Sequence, residues 1–318
     1  DLNQQNPHVA NFLIQNNIWW LEFSGQDSYR IDTYPYPDQK FMTYWVERIL
    51  KEYPHLGMFG ETWVQGNAIQ AWFTKGHRIN EDAPLLDLPG VTDFQIHYAM
   101  LESVTQQQSW DNGISRLYLT LAQDYLYENP LQNVIFLDNH DLSRFFAIVG
   151  KDMNRFKSGI TLLFTLRGIP MLYYGTEILL SGSGGMFGEG GRQDFLGGWE
   201  EDEVNKFKAE GRTDDEQAAF EYVRALANYR KNTPALQTGK MTQYIPENGI
   251  YVFFRYDTEK TVMVITNTND QAASLQTERF ADMLQGYTTA RNVVTNERIK
   301  DLSAMELERN SSVVFELE

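Results

Sequence analysis

"DSYRIDT", residues 27–33, is the stretch on which the reading of this chain turns. Tyr29 and Ile31 alternate with Arg30 and Asp32 at the two-residue period of a β-strand. Arg30 and Asp32 therefore share one strand face, with Asp32 at its end. The run then stops on "TYPYPD", residues 33–38, where two prolines cannot donate to a sheet ladder. A strand that carries a charge pair to its end and then breaks off needs a reason beyond packing.

Outward from this strand, helix and strand signals alternate. Val9, Phe12, Leu13, Ile18 and Leu21 recur at helical spacing before it, and "FMTYWVERILKEYP" reads as an amphipathic helix after it. The strand "LGMFGETW" follows, then a weaker helical stretch around residues 68–75. "VTDFQIHYAM" passes from strand to helix, and "GISRLYLTLAQDYLYENP" reads as a helix up to Asn129-Pro130. "NVIFLDNHD" is the strongest strand signal, "RFKSGITLLFTLRG" a helix stopped at Gly168, and "IPMLYYGTE" a fifth strand. A glycine-rich loop, "SGSGGMFGEGGRQDFLGGW", leads to the helix "DDEQAAFEYVRALANYRKNTP". Alternating short apolar strands and helices predict an α/β fold of parallel strands with helical crossovers.

The pattern changes after Thr238. "GIYVFFRY", "KTVMVITNT", "ARNVVTN" and "SSVVFELE" are strand-like runs separated by turn residues. Residues 237–318 therefore read as an all-β sandwich domain, and residues 1–236 as the α/β domain, with the hinge near "KNTPALQTG".

Composition removes several function classes. The chain has 318 residues and no cysteine, which excludes disulfides, thiolate metal sites and a catalytic thiol. A formal net charge of −16 lacks the basic face that a nucleic-acid partner requires. No apolar run reaches the roughly 18 residues of a membrane helix.

Three carboxylates stand at corresponding places: Asp32, Glu61 and Asp141 each lie at the C-terminal end of a predicted parallel strand. In a parallel α/β barrel those ends form the face that carries the active site. One acid at a strand end is usually a cap or turn former. Three in apolar surroundings would cost several kcal/mol to bury together and need a chemical reason. Glycoside cleavage supplies one: a charged carboxylate attacks the anomeric carbon while a protonated one donates to the leaving oxygen. Arg30 would keep Asp32 ionised and oriented.

With these residues in view the chain resembles the α-amylase family of glycoside hydrolases. "YRIDT", "FGETW" and "FLDNHD" are similar to its second, third and fourth signatures, in the family's order. "DLN" at the start resembles a short motif of its inserted domain, and "GRQDFLGGW" a segment of the neopullulanase and cyclomaltodextrinase branch. The resemblance implies the last five strand–helix units of a (β/α)8 TIM barrel followed by an all-β C-terminal domain. It implies that Asp32 is the nucleophile, Glu61 the general acid/base, and Asp141 the stabiliser of the transition state. It also implies that Arg30 supports Asp32 and His140 donates to the bound sugar. Two readings stay open for Arg144, a substrate- or acid-contacting arginine or a surface salt bridge, and two for Trp63, a sugar-stacking ring or a packed one.

The chain also departs from the family. Pro35 and Tyr36 stand where many α-amylases carry a lysine that contacts substrate and a histidine linked to calcium. This leaves Tyr36 as a candidate substrate contact and leaves structural calcium to a longer parent protein. The first signature and three barrel strands are missing, so the partners expected are an α-glucan oligosaccharide and either the missing barrel part or a self-associating strand edge. The activity implied is retaining hydrolysis of α-1,4-glucosidic bonds in starch-derived oligosaccharides, pullulan or cyclodextrins. The alternatives are a transglycosylase or sugar isomerase on the same scaffold, and an inactive fragment or glycan-binding relative. Polymeric glucan substrates place the expected location in the periplasm or outside the cell, with the cytoplasm as the alternative.

Overall fold

The computed structural model describes residues 2–77, 86, 88–183 and 189–318. Asp1 of the opening "DLN" motif and part of the glycine-rich loop lie outside the described residues. The elements run α1 (Pro7–Ser24), β1 (Ser28–Ile31), α2 (Gln39–Glu52), β2 (Gly57–Gly60), α3 (Asn67–Ala71), β3 (Gly90–Val91), α4 (Phe94–Thr105) and α5 (Ile114–Leu121). They continue with β4 (Val134–Phe136), α6 (Phe145–Ile148), α7 (Met153–Thr165), β5 (Ile169–Met171), α8 (Asp214–Lys231) and α9 (Pro234–Gln237). The last part holds β6 (Lys240–Gln243), β7 (Ile250–Tyr256), β8 (Thr261–Asn267), β9 (Ala273–Gln276), α10 (Ala281–Leu284), β10 (Ala290–Asn292), β11 (Arg298–Ile299), β12 (Ala304–Leu307) and β13 (Ser311–Leu317).

The five strands expected before the β-rich part are present as β1 to β5, and they are the C-terminal strand–helix units of a (β/α)8 barrel. They are shorter than their sequence signals. "NVIFLDNHD" contributes only Val134–Phe136 to a ladder, because the chain turns at Asn139. The helix expected to reach Asn129 ends at Leu121, and two short 3-10 turns replace its last part.

The chain forms two compact units, residues 1–95 with 122–135 and residues 96–121 with 136–318. In the first unit β1, β2 and β3 pair in parallel, with Ile31 opposite Gly60 and Gly60 opposite Val91. A parallel bridge from Thr92 to Val134 extends the order to β4. The helices start where the sequence supplies caps: Asn6 before Pro7 for α1 and Asp38, accepting from Phe41 N, for α2. Met42, Trp45, Val46 and Ile49 form the buried stripe of α2, at the spacing of one helical face. They pack with Ile14 and Leu21 of α1 and Met58 of β2.

The second unit is built on an antiparallel sheet of order β11-β10-β13-β8-β7-β6, beside a β9–β12 ribbon. Val252, Phe254, Met263, Ile265, Phe315 and Leu317 fill one face at alternate positions. Every residue of β8 is buried, so both of its faces are covered. Helices supply the second cover: Ser158 of α7 donates to Asn310 O at 3.0 Å, and Arg255 of β7 donates to Thr165 O at 2.9 Å. This unit therefore includes α7 and α8 as well as the strands that the sequence assigns to a separate domain.

Within the first unit β1 pairs only with β2 among the described residues, and half of its residues are exposed. A groove of about 290 Å³ runs beside it, lined by Leu13, Asn17, Tyr29, Ile31, Phe41 and Trp45. On α1, Trp19 and Phe23 stack with ring centroids 4.9 Å apart, and both are exposed. An unpaired strand edge beside apolar surface invites pairing with another chain. The 318-residue chain is therefore expected to self-associate in size-exclusion chromatography, and lysine at Trp19 and Phe23 to reduce the association. A monodisperse monomer across the concentration range would contradict this.

Candidate active site

In the first unit the strand ladder brings two of the expected residues together. Asp32 and Glu61 follow the paired residues Ile31 and Gly60, and the ladder runs on through Glu61 N to Ile31 O at 2.8 Å. The Arg30 guanidinium bridges both acids: Nη1 lies 2.9 Å from Asp32 Oδ1, and Nη2 lies 3.3 Å from Glu61 Oε2. Arg30 thus orients two carboxylates and not only the one that the sequence assigned to it.

The break after the strand has a backbone cause. Thr33 is left-handed, with φ 47°, an uncommon conformation for a β-branched residue. It turns its N–H onto Glu61 Oε2 at 3.0 Å. Such strain persists only where the surroundings fix it. Tyr34, buried at the next position, supplies that fixing. A Cβ on Gly60 would lie 2.7 Å from the Tyr34 ring, so the glycine of "FGETW" makes room for it.

The two acids differ in environment. The Asp32 side chain is 69% exposed and that of Glu61 is 12% exposed. The expectation of an apolar setting for all three acids is corrected here, because Asp32 sits on the turn beyond the strand and not inside the barrel wall. Burial pushes the Glu61 carboxyl above the ordinary range. The Thr33 N–H opposes this, a hydrogen bond with Asp32 adds to it, and the Arg30 charge opposes it. A carboxyl that holds its proton beside an exposed carboxylate can donate that proton while its neighbour attacks. Trp63 is half-buried and stacks on Phe94 with centroids 4.9 Å apart, which uses one of its faces for packing. Tyr36 is 76% exposed.

Pro35 and Tyr36 offer no lysine or imidazole, and among the described residues no three His, Asp or Glu side chains are grouped to hold a metal ion.

In the second unit Asn139 makes the turn after β4: its Oδ1 accepts from Asp141 N at 2.9 Å. The turn presents His140 and Asp141 side by side, with His140 Nε2 3.1 Å from Asp141 Oδ2. Arg192, from the glycine-rich loop, donates Nη2 to Asp141 Oδ1 at 3.1 Å and Nε to His140 O at 2.9 Å. Arg192 lies within "GRQDFLGGW", where no residue pattern marks it for a role. A contact spanning 51 residues leaves no local pattern to read.

Arg144 is fully buried, which corrects the reading of a surface salt bridge. Its guanidinium lies 4.1 Å from the Tyr173 ring centroid and 4.6 Å from that of Tyr174, and Nη1 donates to Tyr174 O at 2.6 Å. Its charge also acts on Asp138, a buried acid that had no assigned role. Asp138 accepts from Phe145 N at 2.9 Å and from Thr176 Oγ1 at 2.9 Å, tying the end of β4 to the start of α6 and the turn at Thr176. The signal that could have found it is an aspartate directly after an apolar strand, within "FLDNHD".

Comparison with known proteins agrees with this architecture. Residues 1–194 match the model of the alpha amylase catalytic domain, and residues 241–316 that of the cyclo-malto-dextrinase C-terminal domain. A cyclomaltodextrin glucanotransferase of Klebsiella oxytoca is 27% identical over 305 residues, covering 85% of this chain and 43% of its own length. An alpha-amylase of Streptomyces lividans is 26% identical over 317 residues, covering 91% of this chain and 32% of its own. The chain thus spans less than half the length of these curated relatives. Among solved structures, an alpha-amylase from Geobacillus thermoleovorans in complex with acarbose superposes with a TM-score of 0.79 at 23% identity, over 100% of this chain and 66% of the other. A cyclic alpha-maltosyl-(1→6)-maltose hydrolase from Arthrobacter globiformis gives 0.76 at 18%, over 99% and 62%.

Asp138 makes stability depend on pH. Burial pushes its carboxyl up to about 6, so the folded state holds the proton more tightly than the unfolded one. Its contribution is full below about pH 4 and is lost as pH rises through about 6, a change of roughly 3 kcal/mol. Urea unfolding of wild type and Asp138→Asn between pH 4 and 7 is expected to diverge with this slope, the asparagine variant losing less stability as pH rises. Parallel curves would contradict the assignment.

Proposed function

Because this chain belongs to the α-amylase family, with a C-terminal domain of the cyclomaltodextrinase kind, we propose that it serves retaining cleavage of α-1,4-glucosidic bonds in starch-derived oligosaccharides. One observation carries the reading: a single guanidinium, Arg30, holds an exposed carboxylate and a buried carboxyl with a raised pKa side by side.

In the first step an Asp32 carboxylate oxygen attacks the anomeric carbon. The bond from that carbon to the glycosidic oxygen breaks, and Glu61 gives its proton to the departing oxygen. In the second step the Glu61 carboxylate takes a proton from water, the water oxygen bonds to the anomeric carbon, and the ester to Asp32 breaks. The family resemblance gives Asp141 the task of gripping sugar hydroxyls and steadying the positive charge of the transition state. It gives His140 the task of donating to a bound sugar, and Tyr36 and Trp63 are candidate sugar contacts of the first unit.

The same glycosyl-enzyme can pass its sugar to a sugar hydroxyl in place of water. Relatives named cyclomaltodextrin glucanotransferase favour keeping transfer as the second reading. Both readings need Glu61 for both proton transfers. Glu61→Gln is expected to lower turnover of maltoheptaose by on the order of 10²–10⁴-fold and to leave the fold intact by circular dichroism. Unchanged turnover would refute the mechanism. Products shorter than the substrate alone indicate hydrolysis, and longer ones indicate transfer.

A further inference from the structure

Arg192 of the second unit makes contacts that suggest a task which neither the fold nor the three acids account for. It reaches Asp141 and the His140 carbonyl with two donors of one fork, at 3.1 and 2.9 Å. With His140 Nε2 on Oδ2, both oxygens of Asp141 are then held. The contact does little for stability: the Arg192 side chain is 56% exposed, and exposed ion pairs are worth little. A planar fork across a carboxylate and a neighbouring carbonyl does fix direction.

The backbone around Arg192 is built to bring it there. A Cβ on Gly191 would lie 2.6 Å from Leu142 O, so only glycine lets the loop pass this close to the turn that carries Asp141. On the other side, Gln193 Oε1 accepts from Gly182 N at 2.7 Å, and Gln193 O accepts from Tyr174 OH at 2.7 Å. Gly182 O in turn accepts from Arg144 N at 3.0 Å. The residues on both sides of Arg192 are thus anchored to the segment that presents His140 and Asp141.

We propose that Arg192 is a positioning residue, which sets the direction of the Asp141 carboxylate and of the His140 peptide for gripping the sugar. This rests on the glycosidase reading for the role of Asp141. In this reading the loss of Arg192 misdirects a helper and leaves the reaction's bond changes as they are. Misplacement of such a group by about 1 Å costs on the order of 10²-fold in rate.

The test uses the full chain with maltoheptaose, comparing wild type, Arg192→Ala and Arg192→Lys in turnover. Their affinities are measured by calorimetry in the Glu61→Gln background. Arg192→Ala is expected to lose roughly 10–10²-fold in kcat and to bind the sugar more weakly, with an unchanged melting temperature. Arg192→Lys should recover only part of this, since a point charge cannot fix the Asp141 carboxylate and the His140 carbonyl with one planar fork, and added ethylguanidinium should partly rescue Arg192→Ala. A kcat and an affinity within about twofold of wild type overturn the proposal. So does a loss that follows the melting temperature and resists rescue. Should wild type bind the sugar without turning it over, weaker binding in Arg192→Ala supports the proposal while the hydrolase reading fails. A wild type that neither binds nor cleaves overturns both.

Discussion

The Arg30 guanidinium, set between Asp32 and Glu61, is the interaction on which the first unit's chemistry depends. Two adjacent carboxylates repel when both are charged, and one is then pushed to hold its proton. Burial and the bond with Asp32 favour the proton on Glu61, while exposure leaves Asp32 solvated. A single cation shared by the pair supports that division of labour without forcing both acids to ionise. The asymmetry therefore comes from where each acid sits at the end of its strand.

Backbone constraints deliver that arrangement. Parallel pairing of Ile31 with Gly60 sets the register from which Asp32 and Glu61 emerge together. Thr33 then accepts a left-handed conformation so that its N–H can reach Glu61, and Gly60 gives up a side chain so that Tyr34 can cover the turn. The second unit solves a similar problem with other means. Asn139 turns the chain within its own side-chain hydrogen bond, and glycine-lined backbone contact brings Arg192 to Asp141.

The five strands and the placing of Asp32, Glu61 and Asp141 after three of them were legible in the sequence, because an apolar run followed by an acid is a local pattern. The lengths of the strands were not, since "NVIFLDNHD" looks like one long strand until the Asn139 turn is seen. Arg144 misled because an arginine close after "DNHD" reads as a surface residue, whereas two tyrosines thirty residues on enclose it. Asp138 and Arg192 escaped notice for the same reason: their partners, Thr176 and Asp141, lie far away in sequence. The β9–β12 ribbon was missed because each of its strands is only four residues long.

If Asp32 forms the covalent bond to sugar in the proposed reaction, trapping that bond reveals it. The chain can be treated with a fluorosugar whose glycosyl-enzyme hydrolyses slowly, and the labelled peptide identified by mass spectrometry. The predicted result is one adduct per chain on the peptide containing Asp32, absent in Asp32→Asn. A label on Glu61 or Asp141, or full turnover by Asp32→Asn without any adduct, would contradict it.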